Sequence, residues 1–204
     1  MIKSIVTMKN HLLIIVLLSI GGVVLAFTAA PRPVPASQPT QVDAKRVNWM
    51  TWEEAVQAAK TARAEGKTPK KIFIDIYTDW CGWCKKMDQN TFEHDSISAY
   101  LNENFYPVKF NAEQRASITF QGHEFKYVAQ GRRGYHELAA ALLDGKMSYP
   151  TVVFLNEDFE LLQRIPGYLD IDIFEIIMHY LAEEHYKKTP WADYQQNYKV
   201  NVNN

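Results

Sequence analysis

Hydrophobic positions fall into three regimes along the chain. Leu12 to Phe27 is an uncharged apolar run, and "PRPVPASQPTQV" (31–42) is proline-rich with few large apolar residues. From Val47 onward, short apolar segments alternate with polar ones, and the spacing of each predicts an element. Thr51 followed by Glu54 is a capping-box pattern and opens a helix through "WEEAVQAAKTARAE", with Gly66 as its stop. "IFIDIY" (Ile72–Tyr77) is β-branched and aromatic, so it reads as a buried strand. "KKMDQNTF" has helical character, and "DSISAYLNENF" predicts a helix capped by Asp95. "YPVKF" (Tyr106–Phe110) predicts a second strand. "ITFQGHEFKYV" alternates around Gln121-Gly122, a hairpin pattern. A helix is expected over Tyr135–Leu143, with Gly145 past its end. "YPTVVFLN" (Tyr149–Asn156) predicts a third strand, and "EDFELLQRI" a turn and an antiparallel fourth. "DIDIFEIIMHYLAEEHYKK" predicts an amphipathic helix, and the polar and aromatic tail "TPWADYQQNYKVNVNN" predicts no element.

Strands alternating with helices predict an α/β layer architecture around a central sheet. The 204 residues suffice for one domain with a substantial core. The net charge of −1 is spread over interspersed acids and bases, with no basic stripe, so no nucleic-acid partner is expected. The boundaries read from the pattern are a signal peptide or N-terminal membrane anchor at 1–30, a proline-rich linker at 31–46, one domain at 47–187 and a C-terminal tail at 188–204. Lys3 and Lys9 ahead of the apolar run fit either targeting fate. Delivery outside the cytoplasm, to the periplasm, is expected in both cases.

Both cysteines of the chain lie in "DWCGWC" (Asp79–Cys84). Two cysteines close only a tiny loop, so they staple little, and their value is chemical. They follow the predicted strand and open a helix, where the positive end of the helix dipole favours a thiolate at Cys81. The spacing puts Cys84 one turn later on the same face. Three classes of function stay open on these residues: a thiol–disulfide oxidoreductase, a Cu(I)- or zinc-handling dithiol, and an interaction domain with an idle dithiol. Soft thiolates permit the second. A zinc site needs about four ligands, however, and His94, His123, His136, His179 and His185 do not repeat at metal-ligand spacing. No metal and no cofactor are therefore expected. "GRRGYHE" (131–137) is either a solvated loop or an anion site before a helix.

The stretch "IFIDIYTDWCGWCKKM" resembles the active-site region of the thioredoxin superfamily. The likeness extends through "YPVKF" and "YPTVVFLN" to Gly167, from about Lys70 to Glu184. It is strongest toward extracytoplasmic bacterial proteins, including the thiol domains of membrane disulfide-reducing relays. It implies a thioredoxin-like fold, a central mixed β-sheet flanked by helices, with an insertion at 111–147 before a cis-proline strand. Gly82-Trp83 stands where thioredoxins proper carry Gly-Pro.

The resemblance also implies roles. Cys81 would attack and form the mixed disulfide, Cys84 would resolve it, and Asp75 would handle the proton of Cys84, with Lys109 beside it. Burial of Asp75 in an apolar strand independently predicts a raised pKa. The plainer readings are a strand-end carboxylate and a solvated strand lysine. Pro150 would be the cis-proline, Tyr149 would offer backbone to a client, and Gly167 would lie in the facing loop. Trp80, Gly82 and Trp83 would form the rest of the client surface, with Trp80 shielding the sulfurs and Trp83 exposed for stacking. The partners implied are disulfide-containing client proteins and a membrane thiol electron donor. A disulfide oxidase or isomerase is the alternative redox direction.

Overall fold

The computed structural model describes residues 46–198. The targeting segment and most of the linker expected from the sequence lie outside them. Helix α1 (Trp52–Ala64) starts where the sequence placed it. Thr51 Oγ1 accepts from the Glu54 amide at 3.2 Å, and Glu54 Oε2 accepts from the Thr51 amide at 2.7 Å. The reciprocal pair satisfies two of the donors a helix N-terminus leaves free.

Strand β1 (Lys71–Tyr77) leads into the cysteine motif and α2 (Gly82–Met87), which runs directly into a π-helical turn, Asp88–Phe92. Helix α3 (Asp95–Asn104) is capped differently from expectation. His94 occupies the N-cap without capping, its ring bonding Ser96 Oγ at 2.9 Å, while Asp95 is the first helical residue. A carboxylate in that first turn still complements the helix dipole. Strand β2 (Phe105–Asn111) follows.

The inserted segment carries two hairpins. In the first, β3 (Ile118–Phe120) and β4 (His123–Phe125) turn through Gln121 and Gly122 at φ 50° and 79°, as the sequence indicated. The second, β5 (Tyr127–Gln130) with β6 (Arg133–His136), corrects the loop reading of 131–137. It also corrects the start of the next helix. Tyr135 and His136 belong to β6, and α4 spans Glu137–Leu142. His136 Nδ1 caps it by accepting from the Leu138 amide at 3.2 Å. Strands β7 (Thr151–Leu155) and β8 (Leu161–Pro166) precede α5 (Ile171–Ala182). After a short 3-10 turn comes α6 (Trp191–Asn197), in a tail to which the sequence assigned no element.

The main sheet is mixed, in the order β2-β1-β7-β8, with β1 parallel to β2 and antiparallel to β7. β7 and β8 are antiparallel. Alternation along β1 assigns its two faces. Ile72, Ile74 and Ile76 pack with Trp52, Ala55, Leu138 and Leu142 on the side of α1 and α4. Phe73 packs with Met87, Phe92, Leu101, Phe154 and Phe174 on the side of α2, α3 and α5. Asp75 shares the Phe73 face, so its carboxylate enters the layer that carries the cysteine helix. Each fully buried Phe or Ile of these clusters contributes about 1.5–3 kcal/mol relative to exposure, which is what holds a carboxylate in so dry a layer.

Candidate active site

Strand β1 ends at Tyr77, and the chain turns at once: the Cys81 amide bonds the Thr78 carbonyl at 3.0 Å. Cys81 becomes the N-cap of α2, its Sγ accepting from the Cys84 amide at 3.1 Å. A sulfur at this position faces the amides that stabilise a thiolate. Cys81 and Cys84 form a disulfide with their Cα atoms 5.3 Å apart. Both are buried, while the residues between them are open. Trp83 is 58% exposed and Trp80, just before Cys81, 50%. A side chain built at Gly82 would meet only open space, so this face admits a partner's backbone.

Below the motif, Asp75 is 1% exposed and its carboxyl is pushed up to about 6. Burial is the main cause, the Lys109 ammonium opposes it, and the charge of Asp88 adds to it. Parallel pairing sets Lys109 of β2 beside Asp75 of β1, and the ammonium bonds Asp75 Oδ2 at 2.5 Å. Lys109 also bonds Asp88, which the π-helical turn brings to the same spot. Burial disfavours the Lys109 charge, but the two carboxylates outweigh it and raise its pKa. Asp75 Oδ1 and the Thr78 hydroxyl are buried without a hydrogen-bond partner. An unpartnered buried carboxylate oxygen is costly to keep and leaves one site free to take a proton.

The Tyr149–Pro150 peptide is cis, and Pro150 is buried while Tyr149 is half-buried. The Gly167 amide donates to the Pro150 carbonyl at 2.8 Å. Gly167 sits at φ 99°, a conformation that favours glycine. Thr91 Oγ1 bonds the Leu169 carbonyl at 2.7 Å and so joins the π-helical turn to the Gly167 loop. The indole N–H of Trp80 donates to Glu113 at 3.0 Å, and its ring meets Tyr149 edge-on at 5.8 Å. Trp83 packs on Tyr168 at 5.6 Å under the Lys86 ammonium.

The structure thus gathers three pairs named from the sequence: Cys81 with Cys84, Asp75 with Lys109, and Pro150 with Gly167. Sequence reasoning missed Asp88, Glu113 and Tyr168, and it reached Arg133 only as part of the anion-site alternative for 131–137, not as a residue over Trp80. Asp88 lies four residues after Cys84, one helical turn on, and that spacing was a usable signal. Glu113 and Arg133 come from the insertion, and nothing local in the sequence points either one at Trp80. Among the described residues, no group of three or more His, Cys, Asp or Glu is set to hold a metal ion. No helix among them is long and apolar enough to cross a membrane.

The model of the family described as "Thioredoxin-like domain" matches residues 56–182. Among curated proteins, spermatogenesis-associated protein 20 of Rattus norvegicus is 34% identical over 73 residues, covering 35% of this chain and 8% of that protein. The thiol:disulfide interchange protein DsbD of Pectobacterium atrosepticum is 27% identical over 86 residues, 42% of this chain and 15% of that protein. The chain therefore spans only a small part of the length of either relative. Among solved structures, the reduced C-terminal domain of Neisseria meningitidis DsbD aligns with a TM-score of 0.41 at 18% identity, covering 62% of this chain and 94% of that one.

Proposed function

We propose a function from one premise: the chain belongs to the thioredoxin-like domain family. It is a thiol–disulfide oxidoreductase that reduces disulfides of client proteins outside the cytoplasm. The observation that carries this reading is the Cys81–Cys84 disulfide at a helix N-terminus, in a helix packed on the same face of β1 as a buried carboxylate with one unpartnered oxygen. The likeness to a protein named for thiol:disulfide interchange supports it.

In the reduced protein the Cys81 thiolate attacks a client disulfide. One client sulfur leaves as a thiolate and takes a proton from solvent, and a Cys81–client disulfide forms. The Cys84 thiol then passes its proton to Asp75 and attacks Cys81 Sγ. The second client sulfur leaves and takes up that proton, and the Cys81–Cys84 disulfide closes. Two electrons and two protons pass to the client, and a dithiol donor restores the reduced protein. With a pKa of about 6, Asp75 is mostly ionised at pH 7 and able to accept the proton. A carboxylate that helps Cys84 attack the mixed disulfide favours release of reduced client. Gly82-Trp83 adds no cation that would hold the thiolate form.

The apolar N-terminal run and proline-rich linker support delivery across, or attachment to, a membrane. A thiol carrier in that membrane is the donor consistent with such an address. Two measurements test the reading. Cys84→Ser should accumulate mixed disulfides with other proteins on non-reducing gels, and these should vanish when Cys81 is also replaced. Equal adducts from Cys81→Ser alone would overturn the role assignment. Equilibration with dithiothreitol or glutathione buffers should give a potential near −270 mV, and a value above about −180 mV would make the protein an oxidase or isomerase instead.

A further inference from the structure

The β5–β6 hairpin does more than fill space beside the motif. Its tip turns at Gly131 and Arg132, and Arg133 follows as the first residue of β6. The Arg133 guanidinium lies 4.1 Å from the centre of the Trp80 ring. Trp80 is held from two other directions, by the Glu113 carboxylate on its N–H and by the edge of Tyr149. The hairpin base is fixed as well. The His136 amide bonds the Ala112 carbonyl at 2.7 Å, and the Glu137 amide bonds the Lys126 carbonyl at 2.9 Å. Arg133 is thus a preorganised cation on a defined platform, Trp80, the residue directly before the reactive Cys81.

Among the described residues, no group accepts a hydrogen bond from the Arg133 side chain. Among the described residues, no carboxylate forms an ion pair with Arg115, Arg132 or Arg133, while nearby Lys126 is paired with Glu124 at 2.9 Å. Arg115 is likewise stacked, on Tyr127 at 4.6 Å. A guanidinium seated over an indole face spends none of its N–H groups on hydrogen bonds to the ring, and its planar fork of donors matches a carboxylate in geometry and charge. The Lys86 ammonium likewise covers Trp83, 4.8 Å from its ring centre. Both exposed tryptophans of the motif therefore carry a cation.

We propose that Arg133, seated on Trp80, is a specificity-determining residue that binds an Asp or Glu side chain close to the client's reactive cysteine. The inference rests on the exchange reaction proposed above. A client sulfur bonded to Cys81 holds its neighbouring residues at about 3.3 Å per residue along an extended chain. Residues one or two positions from the client cysteine thereby pass the Trp80 platform. The insertion at 111–147 gains a role by this reading: it delivers the cation that selects acidic sequences.

The test uses the reduced protein and three synthetic peptides. Each holds one cysteine as a mixed disulfide with thionitrobenzoate, flanked on both sides by Glu, Gln or Lys. Stopped-flow release of the coloured thiolate reads the second-order rate. The Glu peptide should react about 3- to 10-fold faster than the Gln peptide and the Lys peptide more slowly, a ranking that narrows with added salt. In Arg133→Gln the Glu-to-Gln ratio should fall to about 1, while Lys60→Gln, a cation removed from exposed α1, should keep it. A wild-type ratio near 1, or equal loss of the ratio in both variants, would overturn the role of Arg133. Failure of all three peptides to react would instead overturn the exchange reaction, and the inference with it.

Discussion

At the scale of the residue, Asp75 is the group most at odds with its surroundings. Its carboxyl titrates near 6 in the folded chain against 3.8 when unperturbed, because burial outweighs the attraction of Lys109. The folded state therefore holds a proton that the unfolded state has released between those two pH values. Stability must fall as pH rises through that window, by about 3 kcal/mol if the whole shift is expressed. Lys109 does not blur this, since its raised pKa keeps it charged in both states throughout the window. Asp75→Asn should accordingly gain stability relative to the parent as pH rises from 4 to 7, read by urea denaturation at each pH. A difference that stays flat, or runs the other way, would mean that Asp75 titrates normally. The same variant should flatten the acid limb of the client-release step, which in the parent should fall off near pH 6. The sequence alone reached this residue, because a lone acid in "IFIDIY" has nowhere to go but the core. It did not reach Asp88: the spacing from Cys84 put that residue one turn along the cysteine helix, but its contact with Lys109 is made from a π-helical turn that has no sequence signature.

At the scale of the element, legibility followed hydrophobic content. α1, β1, β7 and α5 were readable because each buries a periodic apolar face or a continuous apolar run. The β5–β6 hairpin was not, since its strands expose Ala129, Gln130 and Arg133 and offer no apolar alternation. What specifies it is a close approach: a Cβ at Gly134 would run into the Val128 carbonyl and the Tyr127 ring. The first of these is backbone and cannot swing aside. Gly134→Ala should thus destabilise the protein by about 1–3 kcal/mol, the range for overpacking, measured as a shift in denaturation midpoint at unchanged slope. A change under about 0.5 kcal/mol would show that the hairpin yields freely, and would weaken the claim that it holds Arg133 in place.

At the scale of the whole molecule, the sheet joins two apolar layers, and the second does not end at α5. The Tyr180 hydroxyl bonds the Thr189 carbonyl at 2.7 Å, and the rings of Trp191 and Tyr194 lie 5.2 and 5.0 Å from that of Tyr180. Tyr198 reaches the buried Glu175 at 3.5 Å. Packing therefore continues past the boundary at 187 that the sequence suggested. That boundary was set by the polar character of "TPWADYQQNYKV", in which the aromatic residues share one helical face with no aliphatic run to announce it. Removing residues 189–204 should strip the half-buried Trp191 and its aromatic partners from α5. Partial burial of one large aromatic and two or three ring contacts predicts a loss of about 2–3 kcal/mol. The truncated chain should still unfold in one cooperative step, because the layers flanking β1 remain intact. It should also keep its rate of attack on the Gln-flanked peptide, because among the described residues α6 forms no hydrogen bond or ring contact with Trp80, Asp75 or Pro150, whose partners are Glu113, Tyr149, Lys109 and Gly167. An unchanged melting temperature would show that α6 only rests on the domain. A non-cooperative melt would show instead that it completes the core.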